Sequence, residues 1–484
     1  MTNGSEMLLT KPEKQAPHVA IIGGGIAGAT AAVHLGELGV KVTLLEKSSG
    51  LVNGPPICHL HAGGNLYREI SQQQCLQLLR QSIDTVRLYP HTLNRRPTVI
   101  AIPHSDPGAV DDILPRLEVI RSAYQQLVDH DVHNKMLGEP QDYFRLYQQQ
   151  DLERLAGLVQ PELPQDFDDW LIPFAQHTDL STLKYPVVAV QEYGWSVFRL
   201  AASAQLTLET LPNCQLLTQA HLIESHFAEN QWHLGYQDSK GDVQHLECDY
   251  LINACGYQTG KIDDLTAHSR QRLVEFKAAY VTHWPRCYQQ WPEVIFHGPR
   301  GTPQGMAQLT PYADGVFQLH GMTEEITLFK DGLVSSAAGS SQPNLPDYLQ
   351  RKLTSGWSQP ALVERTLKSI QHMSQFIPEF SYAEVGGSPL FGAQQIPGSD
   401  ASLRAADVTF EADNYARIEV VKGSSALEAA RRIVSHWQLA KVDPSRSIEQ
   451  LHPTCVHWTE QQVELTAIQL AEQRGYPIAL AKVI

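Results

Sequence analysis

Residues 23–28 read Gly-Gly-Gly-Ile-Ala-Gly, and no other stretch limits the fold of this chain so tightly. They follow a short apolar run, His18–Ile22. After them Ile26, Ala27, Ala31, Ala32 and Leu35 recur at helical spacing. Gly39 stands where a helix C-terminus favours glycine, and a second apolar run, Val40–Leu45, ends at Glu46. The pattern predicts a β-α-β unit. In G-x-G-x-x-G the first glycine, Gly23, permits the tight turn. Gly25 lets backbone approach a diphosphate, and Gly28 lets helix and strand pack closely. The helix-start N–H groups around Ile26, Ala27 and Gly28 suit phosphate oxygens. Glu46 ends the second strand, where an acid accepts ribose hydroxyls and disfavours a 2′-phosphate. The adjacent Lys47 joins the candidate contacts. The fingerprint alone does not separate FAD from NAD.

The chain has 484 residues, too many for one ordinary compact core, so two joined lobes and a tail are expected. It carries 37 basic against 52 acidic residues, a net charge of −15. That balance argues against wrapping nucleic acid. The seven cysteines are scattered and odd in number, with no CxxC. This suits a reducing compartment rather than a disulfide framework or a zinc knuckle. No metal site is expected, since Cys58, His59 and His61 lack a fourth partner. Residues 1–16 read as a disordered lead-in, not a signal peptide. No run approaches the ~20 apolar residues of a membrane span. The expected location is the cytoplasm, with room for peripheral contact with the inner membrane.

Three later segments bear on the cofactor. Ile57-Cys58-His59-Leu60-His61-Ala62-Gly63-Gly64-Asn65-Leu66-Tyr67-Arg68 is a Gly/His loop directly after the first unit. A simple NAD enzyme would continue there with helix and strand. Tyr250-Leu251-Ile252-Asn253-Ala254-Cys255-Gly256 is a strand running into an N-A-x-G turn. Val421-Lys422-Gly423-Ser424-Ser425-Ala426-Leu427 is a small-residue turn opening a long helix. In this order and spacing the three resemble the FAD-dependent oxidoreductases of the D-amino-acid-oxidase family. The resemblance spans roughly residues 17–437.

That resemblance implies an α/β fold: a Rossmann-like FAD-binding domain of the glutathione-reductase type, interleaved with an antiparallel-sheet substrate domain. The FAD domain is expected over 17–90, 190–272 and 384–438. The substrate or cap domain is expected over 91–189 and 273–383, and a helical appendage over 439–484. Helices are expected at 72–88, 111–129, 345–377 and 423–437, and a strand-like stretch at 215–224. A capping box at Thr459 and Gln462 predicts a final helix.

The resemblance also implies roles. His61, Ala62 and Gly63 would run along the flavin, with covalent attachment at His61 left open. Ala254 and Gly256 would return the sheet beneath the FAD, and the backbone at His221-Leu222 would hold adenine. Gly423, Ser424, Ser425 and Ala426 would place helix-start N–H groups at the flavin N1–C2=O edge, which becomes negative on reduction.

The catalytic candidates are Arg68 for a substrate carboxylate, His61, Tyr67 and Gln318. Arg404 and Arg417 are weaker cation candidates, and Lys277 reads as a solvated strand-edge residue. Gln318 aligns with the sheet position at which sarcosine-oxidase-like oxidases keep an oxygen-activating lysine. A neutral amide there favours a dehydrogenase. The expected reaction is hydride transfer from a CH–NH or CH–OH bond of a small, carboxylate-bearing substrate to flavin N5. The electron acceptor is undetermined among quinone, carrier protein and oxygen. Two other readings stay open: a quinone-linked 2-hydroxyacid dehydrogenase of the malate type, and a flavin-bearing maturation or scaffold protein acting on a protein partner.

Overall fold

The computed structural model of the chain describes residues 16–55, 60, 68, 70–405 and 408–483. The predicted β-α-β unit is present as strand His18–Ile22, helix Ile26–Glu37 and strand Lys41–Glu46. It forms because both strands are apolar on both sides and the helix is lined by small residues that let it lie close to the sheet. Ala29, Ala31, Ala32, Val33 and Leu35 are all fully buried. Gly39 takes φ +82° after the helix, as a left-handed stop requires.

These strands sit inside a six-stranded sheet. Its order is Val408–Glu411, Tyr415–Ile418, Tyr250–Asn253, His18–Ile22, Lys41–Glu46, Cys214–Thr218. All neighbours are parallel except the first pair. A three-stranded antiparallel sheet, His221–Ala228, Gln231–Gln237 and Val243–Cys248, packs beside it.

The second large sheet has ten strands. Its main path runs Leu333–Ser335, Arg272–His283, Val316–Gly321, Ala307–Pro311, Glu293–Phe296, Thr98–Pro103, Leu183–Val190, Phe144–Tyr147. Leu390–Pro397 and Glu384–Val385 also pair with the long strand Arg272–His283. The mixed α/β fold is therefore a largely parallel nucleotide-type sheet interleaved with a mostly antiparallel one. One pair in the second sheet, Glu293–Phe296 with Thr98–Pro103, is parallel.

Helices Gln72–Leu88 and Ala426–Trp437 lie where expected. The predicted 345–377 helix is two, Asp347–Ser355 and Gln359–Met373, divided at Gly356 with φ +79°. The predicted 215–224 stretch is also divided. Gln219, at φ +54°, turns the chain from the six-stranded sheet into the three-stranded one. The turn is held because the Gln219 and Ala220 amides donate to the Ser48 and Glu46 carbonyls, both at 2.9 Å.

The C-terminal residues dock on the first helix and on helix Val197–Thr210. Trp458 Nε1 donates to Thr207 Oγ1 at 3.0 Å, and the buried Arg199 binds the Ala481 carbonyl at 2.9 Å and Glu464. The Thr459–Gln462 capping box forms as predicted. No helix among the described residues is long and apolar enough to cross a membrane.

Candidate functional site

The glycine turn is built so that backbone, not side chain, faces outward. Gly23 has φ +100°, and a Cβ there would stand 2.7 Å from the Ala254 carbonyl oxygen. At Gly28 a Cβ would fall 1.8 Å from the Gly23 carbonyl oxygen and 3.1 Å from the Ala254 Cβ. These two glycines let the opening strand, the helix and the Asn253–Gly256 turn close on one another. Gly25 differs: among the described residues nothing lies within 4 Å of where its Cβ would be. Gly25 is also the N-cap of the helix, with no side-chain cap and no acid in the first turn. The space beside Gly25 and the uncapped N–H groups around Ile26, Ala27 and Gly28 fit a diphosphate.

Glu46 is 8% exposed. Its carboxylate accepts the Gly24 amide at 2.7 Å and the Ser48 amide at 2.8 Å, which aims it along the turn. Lys47 donates to Gln258 beside it. Ala254 N–H donates to the Ile22 carbonyl at 2.8 Å, and Gly256 takes φ +56°. Leu222 pairs with Tyr236 in the three-stranded sheet and buries its side chain.

The second helix start lies close to the first. A Cβ on Gly423 would meet the Trp195 ring at 3.0 Å and Ile26 Cδ1 at 3.2 Å. Ser425 Oγ donates to Gln81 Oε1 at 2.6 Å, and Thr85 Oγ1 donates to the Ser424 carbonyl at 3.1 Å. The turn into Ala426 is thus clamped by helix Gln72–Leu88, with no side chain capping the N–H groups of helix Ala426–Trp437.

The ten-stranded sheet presents two very different faces, because successive side chains alternate. One face carries Phe296, Ala307, Leu309, Phe317 and Leu319 into an apolar core with Trp284, Trp291, Phe376 and Phe380. On the opposite face the registers align Glu293, Ile295 and His297 beside Thr310, Gln308 and Met306, and these beside Gln318, His320 and Met322. The neighbouring long strand adds Val281, Ala279 and Lys277. Ala279 and Val281 belong to the same core as Val19 and Ile21, so this polar face looks toward the nucleotide-type sheet.

The polar face is buried yet incompletely satisfied. Gln318 is 0% exposed, and Tyr312 Oη donates to its Oε1 at 3.2 Å, which leaves Nε2 without a partner among the described residues. Among the described residues Thr310 Oγ1, directly opposite, also has none, nor does either ring nitrogen of His297. An orphaned buried polar group costs about 1–3 kcal/mol, so several on one face mark a surface shaped for a ligand. Glu293 is satisfied by Arg96 at 2.6 Å and by Gln308.

Lys277 is not the solvated edge residue expected from its strand. It lies inside the sheet, 17% exposed, paired with Glu275 at 2.8 Å and donating to Gln394 Oε1 at 3.3 Å. Gln394 Nε2 in turn donates to the Val421 carbonyl at 2.7 Å, just ahead of the Gly423 turn. Burial draws the Lys277 pKa down; Glu275 opposes this, and Arg300 and Arg404 add to it.

Arg68 spends both terminal nitrogens on Asp106, at 2.9 and 3.2 Å. Arg404 binds the Ala401 and Leu403 carbonyls. Arg417 is fully buried on Asp263 and Glu411. His61, Ala62, Gly63 and Tyr67, with Cys58 and His59, lie outside the described residues. Sequence reading missed His297 and the Arg96–Glu293 pair. The signal available for His297 was a polar residue placed out of phase with Val294 and Phe296, just before a Gly-Pro-Arg-Gly loop.

Residues 18–171 match the DAO family model, described as FAD dependent oxidoreductase. Many solved structures share the fold. The glycine oxidase of Geobacillus kaustophilus aligns at TM-score 0.55 and 12% identity, over 88% of this chain and 96% of that one. The glycerol-3-phosphate dehydrogenase of Bacillus halodurans, complexed with FAD, aligns at TM-score 0.56 and 12% identity, over 97% and 82%. The L-amino acid deaminase of Proteus vulgaris aligns at 0.56 and 12%, over 93% and 98%. No curated protein matches the chain.

Proposed function

We propose that this chain, which carries the DAO-family segment over residues 18–171, is an FAD-dependent dehydrogenase acting on a CH–NH or CH–OH bond of a small, carboxylate-bearing substrate. The observation that carries this reading is the buried polar face, with the orphaned Gln318 and Thr310 groups turned toward the glycine-turn sheet. A purely structural interface would satisfy those groups or replace them with apolar ones.

The residues present fit FAD. The open space at Gly25 and the bare amides after it would hold the diphosphate, Glu46 the ribose, and the backbone near Leu222 the adenine. The Gly423–Ala426 turn would face the flavin N1–C2=O edge. Bound FAD supplies two-electron acceptance at N5. The chain's own part is to bind the substrate, orient its C–H bond and govern its protons.

Lys277 and Arg300 share one carboxylate, Glu275. That leaves about one net positive charge at this end of the face, a fitting place for the substrate carboxylate. Arg68 is the other candidate, in exchange with Asp106. Gln318 and Thr310 would meet polar groups at the other end of the face, beyond a small substrate seated at Lys277. Gln318 also supports the dehydrogenase reading, since a neutral amide does not stabilise superoxide as a cation does. Lys277 lies four residues from Val281, the neighbour of Gln318, or roughly 13 Å along the strand. A quinone or a carrier protein is then the electron acceptor.

The test is anaerobic bleaching of the purified yellow protein by glycine, sarcosine, L-proline, L-malate and glycerol 3-phosphate, followed by admission of air or a soluble quinone. Bleaching by at least one compound, with quinone reoxidising the flavin faster than air, is expected. Protein that takes up no FAD ends the reading. Rapid reoxidation by air alone makes the enzyme an oxidase.

A further inference from the structure

We infer that His297 is the group that takes the substrate's N–H or O–H proton as the C–H hydride leaves. This inference rests on the function proposed above and assigns one step within it.

His297 follows strand Glu293–Phe296, and its amide continues the ladder by donating to the Ala101 carbonyl at 2.9 Å. Phe296 is committed to the apolar core, so alternation puts His297 on the polar face, level with Met306 and Met322 and four residues along from Thr310 and Gln318. The residue is 4% exposed, and neither ring nitrogen has a partner among the described residues. A structural buried histidine normally anchors at least one nitrogen, as His372 does on the Gly305 carbonyl at 2.8 Å. An imidazole with both nitrogens unused is held ready for something that arrives.

Its surroundings keep it a base. Burial, aided by the Arg68 charge and opposed by Asp106, lowers its pKa to about 4. Asp106 itself is fixed by Arg68 and by the Gly108 amide at 2.8 Å. The Arg68–Asp106 pair therefore makes a nearly neutral border, and the ring stays unprotonated near pH 7. It then has one lone-pair nitrogen and one N–H donor. The O–H or N–H proton would pass to the His297 lone pair, and bound FAD would supply the acceptor for the C–H hydride, so that a C=O or C=N bond forms. The Asp106 carboxylate opposes burial and the Arg68 charge, and so favours the cation formed in this step. His297 must give up the proton before the next turnover.

The experiment uses FAD-loaded full-length protein and the compound that bleaches the wild type fastest in the panel above. His297→Gln and His297→Ala should remain folded and yellow. The limiting bleaching rate should fall about a hundredfold or more, the scale of a lost general base, with little change in half-saturating concentration. Imidazole added to His297→Ala should restore rate in proportion to its neutral form. A limiting rate within about threefold of wild type, a loss confined to half-saturating concentration, or a loss that imidazole does not relieve overturns the assignment. A second measurement needs no turnover. In protein with ¹⁵N-labelled histidine, the ring signal that His297→Gln removes should keep a neutral-imidazole shift from about pH 5 to 8. A protonated signal at neutral pH overturns the inference. Wild-type protein bleached by nothing in the panel counts against the proposed function instead, and the ring titration then decides the state of His297.

Discussion

His34 Nδ1 and His452 Nε2 lie 2.7 Å apart, joining the helix of the glycine turn to the C-terminal residues through a buried hydrogen bond. His452 Nδ1 also sits 2.7 Å from the Ile448 carbonyl, which can only accept. The Nδ1 of His452 therefore carries its proton, its Nε2 is a bare acceptor, and His34 Nδ1–H is the donor.

Stability should therefore fall in mild acid. Burial lowers both histidines, His452 to about 4; Arg431 and Arg446 also lower His452, while the Ile448 carbonyl and Glu449 oppose. A depressed histidine pKa means the unfolded chain binds more protons between the two values. The contribution is thus fully present above about pH 6.5 and is lost as pH drops toward 4. Thermal unfolding should show a lower Tm at pH 5 than at pH 7.5, with a shallower slope in His452→Leu. An equal slope in that variant would remove the pair as its cause.

The two later glycines of the turn should fail differently. Gly28→Val drives a side chain into the Gly23 carbonyl, so the protein should misfold. Gly25 has φ −65° and open space beside it, so Gly25→Val should fold but bind FAD at least about tenfold more weakly, since the side chain occupies the diphosphate's place. Circular dichroism with flavin fluorescence separates the outcomes.

Asp263 should be a stability residue. It is 0% exposed, pairs with Arg272 and Arg417, and accepts from Tyr415 Oη at 2.7 Å. Asp263→Asn removes the carboxylate that two buried guanidinium groups share, leaving Arg272 with Glu419 and Arg417 with Glu411, and should cost about 3–5 kcal/mol, read from urea unfolding. A loss below about 1 kcal/mol would mean that the network relaxes around the change.

Lys277→Met should weaken substrate more than it slows chemistry. With the lysine removed, Arg300 and Glu275 cancel and the local positive charge disappears. The half-saturating concentration of a carboxylate substrate should rise about tenfold, the effect of one lost charge-assisted contact. For a substrate without a carboxylate it should not change. An equal effect on both would place Lys277 elsewhere in the mechanism.

Residues 18–46 are legible in their own order. A tight glycine turn, a helix of small residues and a terminal acid are local demands, and local geometry is written in adjacent residues. Gly23, Gly28 and Glu46 stand as their spacing requires. Other parts are legible only as resemblance, because the Asn253–Gly256 and Gly423–Ala426 turns are short and common. The break over 356–358 has a local signal in Gly356 and Pro360 that the expectation of one continuous helix passes over, whereas the turn at 219–220 carries no glycine or proline to mark it.

The sequence by itself settled the opening β-α-β unit, because its signals act within a single helical turn or strand. Only the tertiary structure decided that Lys277 is interior, that Arg68 is spent on Asp106, and that His297, Thr310 and Gln318 share one buried face. Those outcomes depend on which strands pair, and in what register. Strand pairing joins residues far apart in the chain, so a side chain's charge partner and burial are set by neighbours that its own segment does not contain.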